Sequence, residues 1–210
     1  MKGKKAIGIM GGTFDPIHYG HLVAAEAARN QFALERVYFV PSAHPPHKEE
    51  ERVSDIEHRY LMTFLSITGN RYFEISDVEM ARPGKSYAYD TVKWFRNKYP
   101  DYEIYFITGA DAIKEIITWH RVEELLDLCY FVAATRPGYD LEKLKENELR
   151  FLPAEYLERI LLIEIPALAI SSTDIRNRVR ENKPIKYLLP DQIEDYIFKK
   201  KLYQKQESEE

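Results

Sequence analysis

The sequence predicts an α/β fold, a doubly wound parallel sheet with helices on both faces. Three observations carry that expectation. Short apolar runs alternate along the chain with stretches whose apolar residues recur at helical spacing. The apolar runs are near-continuous, as strands covered on both faces are. The first run passes through a glycine-rich turn straight into a series of good helix formers, the strand–loop–helix order of an α/β sheet that binds ligands at the carboxyl ends of its strands.

The elements follow in order. Ala6-Ile7-Gly8-Ile9-Met10 is the first strand, Gly11 to His21 the loop, and Leu22 to Ala28 the body of a first helix that starts near Gly20 or His21. Arg36 to Pro41 is the second strand. An amphipathic helix over Ile56 to Ile67 leads to a third strand at Phe73 to Ser76. Asp90 to Tyr99 reads as helix and Glu103 to Ile107 as the fourth strand. Ala110 to Leu126 holds one or two helices before a fifth strand at Tyr130 to Ala134. Ile160 to Glu164 is the last strand, and two C-terminal helical segments complete a Rossmann-like chain. No repeat or low-complexity segment interrupts it, so residues 1–210 read as a single domain. The mostly charged residues 199–210 are expected to fray into solvent. The charged segment from Ser42 to Ser54, stiffened by Pro45 and Pro46, reads as a mobile functional loop.

At 45% hydrophobic and 30% charged, the 210 residues have the composition of an ordinary globular protein with ample material for a core. A net charge of −4 points to neither a nucleic-acid nor a membrane partner. No apolar run has the length to span a bilayer, and the short apolar stretch after Met1 to Lys5 is too brief for a signal-peptide core. Cys129 is the one cysteine, which excludes an intrachain disulfide and a cysteine metal cluster; inside Leu128 to Val132 it reads as core. A cytoplasmic protein is the expectation.

The loop Gly11-Gly12-Thr13-Phe14-Asp15-Pro16-Ile17-His18-Tyr19-Gly20-His21 is where chemistry concentrates. Glycines let the backbone approach a bulky ligand, and the amino end of the following helix favours anions. His18 and His21 can then face one anion. Singly, each imidazole is more often structural, and a zinc pair lacks its partner ligands. The loop has neither the Gly-Lys-Ser/Thr of a P-loop nor the three-glycine dinucleotide fingerprint. Near the other end, Ser171 or Ser172 is a good N-cap for a helix carrying Asp174 in its first turn. Arg176, read within that same turn, opposes the helix dipole unless an anion sits there. A polyphosphate would reconcile both ends.

Gly12-Thr13-Phe14-Asp15-Pro16 followed by His18-Tyr19-Gly20-His21 resembles the G-x-F-D-x-x-H-x-G-H signature of the nucleotidylyltransferase superfamily. Ile170-Ser171-Ser172-Thr173-Asp174-Ile175-Arg176 resembles its I-S-S-T-x-x-R motif. Pro45-Pro46-His47-Lys48, Ser86-Tyr87-Ala88-Tyr89-Asp90-Thr91, Phe106-Ile107-Thr108-Gly109-Ala110-Asp111, Thr118-Trp119-His120-Arg121 and Arg136-Pro137-Gly138-Tyr139 are similar to nicotinate-nucleotide adenylyltransferases. The resemblance runs from Ile7 to about Leu189.

The resemblance implies an enzyme of NAD biosynthesis that moves the adenylyl group of ATP to nicotinate mononucleotide, giving deamido-NAD and pyrophosphate without a covalent intermediate. Its implied catalytic residues are His18, His21 and Arg176. ATP is implied to meet those three, Gly11, Gly12, Thr13, Phe14, Gly109, Asp111 and Arg136, and the motif residues Ile170, Ser171, Ser172 and Thr173. Nicotinate mononucleotide is implied to meet Thr13, Lys48, Ala88, Trp119 and His120, with Trp119 stacked on the pyridine ring. Mg²⁺ is implied to ride mainly on the ATP phosphates, with no protein metal site, and a homodimer stays open. Ala88 stands where the family often has threonine, so the resemblance implies that backbone N–H groups near Ala88 and His120 read the acid. An adenylyltransferase for nicotinamide mononucleotide or phosphopantetheine, or a non-catalytic nucleotide sensor, is the alternative reading.

Overall fold

A computed structural model of the chain describes residues 5–46, 53–109, 112–113, 115–135, 143 and 149–205. Strand β1, Lys5–Gly12, is central because Ala6 to Met10 are apolar on both faces and find cover on each. It pairs in parallel with β2, Arg36–Pro41, and β4, Tyr102–Gly109; Ile9 lies opposite Tyr38 and Phe106. Beyond β2 lies β3, Phe73–Ile75, and beyond β4 lie β5, Tyr130–Thr135, and β6, Ile160–Glu164, all parallel. The order β3-β2-β1-β4-β5-β6 is the doubly wound arrangement, whose direction reverses between β1 and β4. The expected sheet is therefore present with all its strands.

Successive side chains point to opposite faces of a strand, and the sequence uses this to build two cores. Ala6 and Met10 of β1 and Ile107 of β4 face α1, Tyr19–Gln31, α2, Ile56–Ile67, and the C-terminal helices. Ile7, Ile9, Ile104 and Phe106 face α3, Ala88–Lys98, and α4, Val122–Leu128. A 3-10 turn, Ile116–Thr118, occupies part of the stretch expected to be one or two helices. A one-turn helix α5, Ala154–Leu157, was not legible in the sequence. Helices α6, Ser172–Arg180, and α7, Asp191–Lys199, close the first face through Ile175, Val179, Ile193 and Ile197. Cys129 is buried with its thiol 3.4 Å from the Leu125 carbonyl oxygen, and burial pushes its pKa up, so it is inert core.

The tail departs from expectation. Residues after Lys199 do not fray at once: Leu202 and Tyr203 pack against the core, and the Tyr203 hydroxyl donates to Asp15 Oδ1 at 2.7 Å. Burial and the adjacent carboxyl push the phenol pKa up, which keeps it the donor. The sequence misled because charge count outweighed two apolar residues that have a groove to fill. Tyr203→Phe leaves a buried acceptor short of a donor, and is expected to lower stability by about 1–3 kcal/mol. Urea unfolding at pH 7 measures this; an unchanged midpoint would mean the tail does not secure the loop.

Candidate active site

Helix α1 starts at Tyr19, a residue earlier than the sequence suggested, with His18 as its extended N-cap (φ −149°, ψ 170°). That register makes His21 the third helical residue, under the cap. The His18 N–H donates to His21 Nδ1 at 3.3 Å, so a neutral His21 carries its proton on Nε2. The two rings stack with centroids 3.8 Å apart, and the Phe14 ring meets His21 edge-on at 5.1 Å. Phe14 itself adopts φ 50°, a left-handed conformation that costs about 1–2 kcal/mol and is offset by burial of its ring against Phe39. Its ring faces the core, leaving its backbone to meet a ligand. Gly20 lets the helix start close to His18: a Cβ there would stand 3.0 Å from the His18 ring, which would have to shift by a few tenths of an ångström.

The second motif meets this loop. Ser171 is the N-cap of α6, its Oγ accepting from the Asp174 N–H at 3.1 Å, as the sequence suggested. Ser172 Oγ donates to the Pro16 carbonyl at 2.8 Å, and Arg176 Nη1 to the Asp15 carbonyl at 2.7 Å. Arg176 also reaches Thr173 Oγ1 at 3.2 Å. One correction follows: with Ser172 first in the helix, Arg176 is fifth and stands in the second turn, its side chain folding back towards the amino end as long helical side chains do. Two buried nitrogens at this junction, His18 Nδ1 and Arg176 Nε, have no hydrogen-bond partner among the described residues. Burial, with no carboxylate to compensate, pulls the His18 pKa down from 6.5 to about 4.

A cavity of about 240 Å³ opens beside the same loop, at the carboxyl ends of β1 and β4. Gly11, Gly12 and Thr13 form one wall, Phe106 and Thr108 the floor, and Ser86, Tyr87 and Ala88 present the amino end of α3. Gly11 is required here, since a Cβ would meet the Phe106 ring at 2.7 Å. Trp119 is half-buried, meeting Phe106 and Phe131 at steep angles (87° and 72°) while still lining the cavity. It is thus both core and wall. His120 lines the cavity and leans on Tyr87, with ring centroids 4.4 Å apart.

The predicted residues therefore divide. His18, His21, Ile170 to Thr173 and Arg176 gather at the helix junction; Gly11, Gly12, Thr13, Ala88, Trp119 and His120 line the cavity. Gly109 is exposed at the end of β4. Lys48, Asp111 and Arg136 lie outside the described residues, as do residues 47–52 of the loop expected to move. Sequence reasoning missed Glu79, a buried cavity residue that accepts from Thr91 Oγ1 at 2.6 Å and whose carboxyl is pushed up in pKa by burial. Nothing in Asp77-Val78-Glu79 separates it from a solvated acidic turn. Among the described residues, no group of three His, Cys, Asp or Glu could hold a metal ion.

Fold and junction define a nucleotidyl-transfer protein of the cytidylyltransferase-like class, and the model of that family matches residues 9–178. The chain is 61% identical over 198 residues to the probable nicotinate-nucleotide adenylyltransferase of Moorella thermoacetica, covering 94% of this chain and 91% of that one. It is 52% identical over 208 residues to the protein of that name from Thermoanaerobacter sp. (strain X514), covering 99% and 98%. Among solved structures, the nicotinic acid mononucleotide adenylyltransferase of Plasmodium falciparum complexed with NaAD superposes with a TM-score of 0.75 at 25% identity, covering 95% of this chain and 97% of that one. The chain belongs to the nicotinate-nucleotide adenylyltransferases within the cytidylyltransferase-like family.

The low pKa of His18 has a definite sign. An unfolded chain takes up the proton near 6.5 and the folded one near 4, so the stability that neutral His18 contributes is complete above about pH 6.5 and is lost as pH falls towards 4. In an NMR titration assigned with His18→Asn, the His18 Cε1 proton is expected to shift with a midpoint near 4. A midpoint between 6 and 7 would contradict the burial.

Proposed function

We propose that this chain transfers the adenylyl group of ATP to nicotinate mononucleotide, giving deamido-NAD and pyrophosphate. One observation carries the reading: a single loop lines the cavity with Gly11 to Thr13 and, a few residues on, offers Asp15 and Pro16 to Arg176 and Ser172. Ring site and polyphosphate site are thus neighbours along one stretch of backbone. Trp119 offers its indole to the pyridine ring, a contact of about 0.5–1.5 kcal/mol beyond burial if it resembles aromatic pairs. The first N–H groups of α3, at Ala88, with the backbone at His120, receive the carboxylate; a helix amino end favours an anion over a neutral carboxamide. An alanine at position 88 then costs little, because the recognition is by main chain.

The mononucleotide phosphate already carries an anionic oxygen near neutral pH, so no general base is needed. That oxygen attacks the α-phosphorus of ATP in line; the new P–O bond forms as the bond to the β-phosphate oxygen breaks, and its electron pair leaves with pyrophosphate. The proton on His21 Nε2 and the His18 ring stabilise charge growing on the α-phosphate oxygens. Arg176, Ser171 to Thr173 and the amino end of α6 hold the leaving group. Gly109 and Asp111 are assigned to the ribose end, Arg136 to the adenine and Lys48 to a phosphate, on family resemblance. The donors at the junction fit an anion rather than a cation. A Mg²⁺ ion would therefore be carried by the substrate phosphates with few protein ligands, and would supply neutralisation of the pyrophosphate charge. No helix among the described residues is long and apolar enough to cross a membrane, and a cytoplasmic location goes with this reading.

Pyrophosphate release with nicotinate mononucleotide, nicotinamide mononucleotide and phosphopantetheine in parallel is the deciding assay. The highest kcat/KM is expected for the acid, and a preference for either of the others would move the assignment to that substrate. His21→Ala is expected to lower kcat by about 100- to 1000-fold, the cost of one preorganised donor to developing charge. Its circular dichroism should match the unsubstituted chain; an unfolded variant would make His21 structural instead.

A further inference from the structure

Arg59 stands on α2, a helix that contributes nothing to the cavity, yet it heads the fully buried side chains by size at 1% exposed. Among the described residues its guanidinium makes four hydrogen bonds, all to main-chain oxygens. Nε donates to Ser54 at 2.7 Å, Nη1 to Thr13 at 2.9 Å and to Ser42 at 2.6 Å, and Nη2 to Ala43 at 3.2 Å. Thr13 and Ser42 are cavity walls on different strand ends. Next to Ala43, the His44 main chain exchanges two hydrogen bonds with Ser86, a third wall: the His44 N–H donates to the Ser86 side-chain Oγ at 3.1 Å and the Ser86 N–H to the His44 carbonyl at 3.0 Å. Ser54, in turn, donates its N–H to Asp15 Oδ2 at 3.3 Å. One buried cation thus holds both sides of the cavity and touches the loop that leads to the histidines.

We propose that Arg59 is a positioning residue for adenylyl transfer, fixing the Thr13 and Ser42 walls so that the mononucleotide ring and its phosphate are held at one separation from the histidine loop. The inference rests on the cavity being the mononucleotide site. A space-filling role would be served by an apolar side chain, which escapes the cost of burying a charge. Burial pulls the guanidinium down from its ordinary pKa, and the Asp15, Glu79 and Asp55 carboxyls counter that. A planar fork reaches carbonyls diverging from three segments; the point charge of lysine cannot span them.

Trp94→Phe removes the exposed tryptophan and leaves Trp119 as the reporter. In that background, Arg59→Lys and Arg59→Met are titrated with nicotinate mononucleotide by fluorescence, assayed for kcat and KM, and checked by circular dichroism well below the melting temperature. Folded variants are expected to lose about 100-fold in kcat/KM, the scale of a misplacement of about 1 Å at a remote site, with the larger share in KM for the mononucleotide. Folded variants with unchanged affinity and kcat/KM would overturn the proposal. Failure of both to fold would overturn it too, making Arg59 a core residue. A background protein whose Trp119 emission ignores the mononucleotide would remove the cavity assignment itself, and the proposal with it.

Discussion

Two carbonyl oxygens, those of Asp15 and Pro16, hold the active region together. They belong to a loop that could not present itself to a ligand in a fixed shape without outside support, since its left-handed Phe14 is strained and its glycines are permissive. Support arrives from the far end of the chain. Arg176 and Ser172 bind those oxygens, and Tyr203 and Ser54 bind the Asp15 side chain. The same contacts that fix the loop bring the amino ends of α1 and α6 together. Closure of the fold by its C-terminal segment and assembly of the helix junction use the same hydrogen bonds.

Charge is handled by leaving the site short of it until a ligand enters. His18 is held neutral by burial, and its Nδ1 and Arg176 Nε have no protein partner among the described residues. A carboxylate placed there would satisfy these groups and remove their use, because a satisfied donor has nothing to gain from a growing phosphate charge. In the proposed reaction a polyphosphate would bring the missing negative charge and raise the affinity of His18 for a proton by the same interaction that binds it. The unpartnered groups would then be a cost carried by the fold that binding offsets.

What the sequence disclosed divides along physical lines. The strands and the helix over Ile56 to Ile67 were legible because their signals are local: apolar runs, helical spacing and capping residues. The two motifs that meet at the helix junction stood out because glycines, imidazoles and a capped helix announce themselves within a few residues. Arg59, Glu79 and Tyr203 were not, since each takes its meaning from partners on other segments. The Arg59 carbonyls lie on loops that only the folded sheet brings together, and the Tyr203 hydroxyl crosses 188 positions to reach Asp15. The start of α1 was missed by one residue because histidine at an N-cap, with a second imidazole accepting from its N–H, is not among the common capping residues.

The reversal of strand order explains why the cavity and the helix junction lie side by side. Between β1 and β4 the chain leaves the sheet towards opposite faces, so the Gly11 to Thr13 loop that leads into α1 bounds the cavity on one side and the Trp119 turn and α3 bound it on the other. Recognition elements on the α1 side are main-chain N–H groups and imidazoles suited to phosphate. Those on the α3 side are an indole and a helix amino end suited to a flat ring with a carboxylate. Under the proposed assignment the acid faces main chain, so substitutions at 88 change little there, whereas the spacing between the two sides rests on buried side chains such as Arg59 that do not line the cavity. The proposed selectivity is therefore built more into the scaffold behind the cavity than into the side chains that line it.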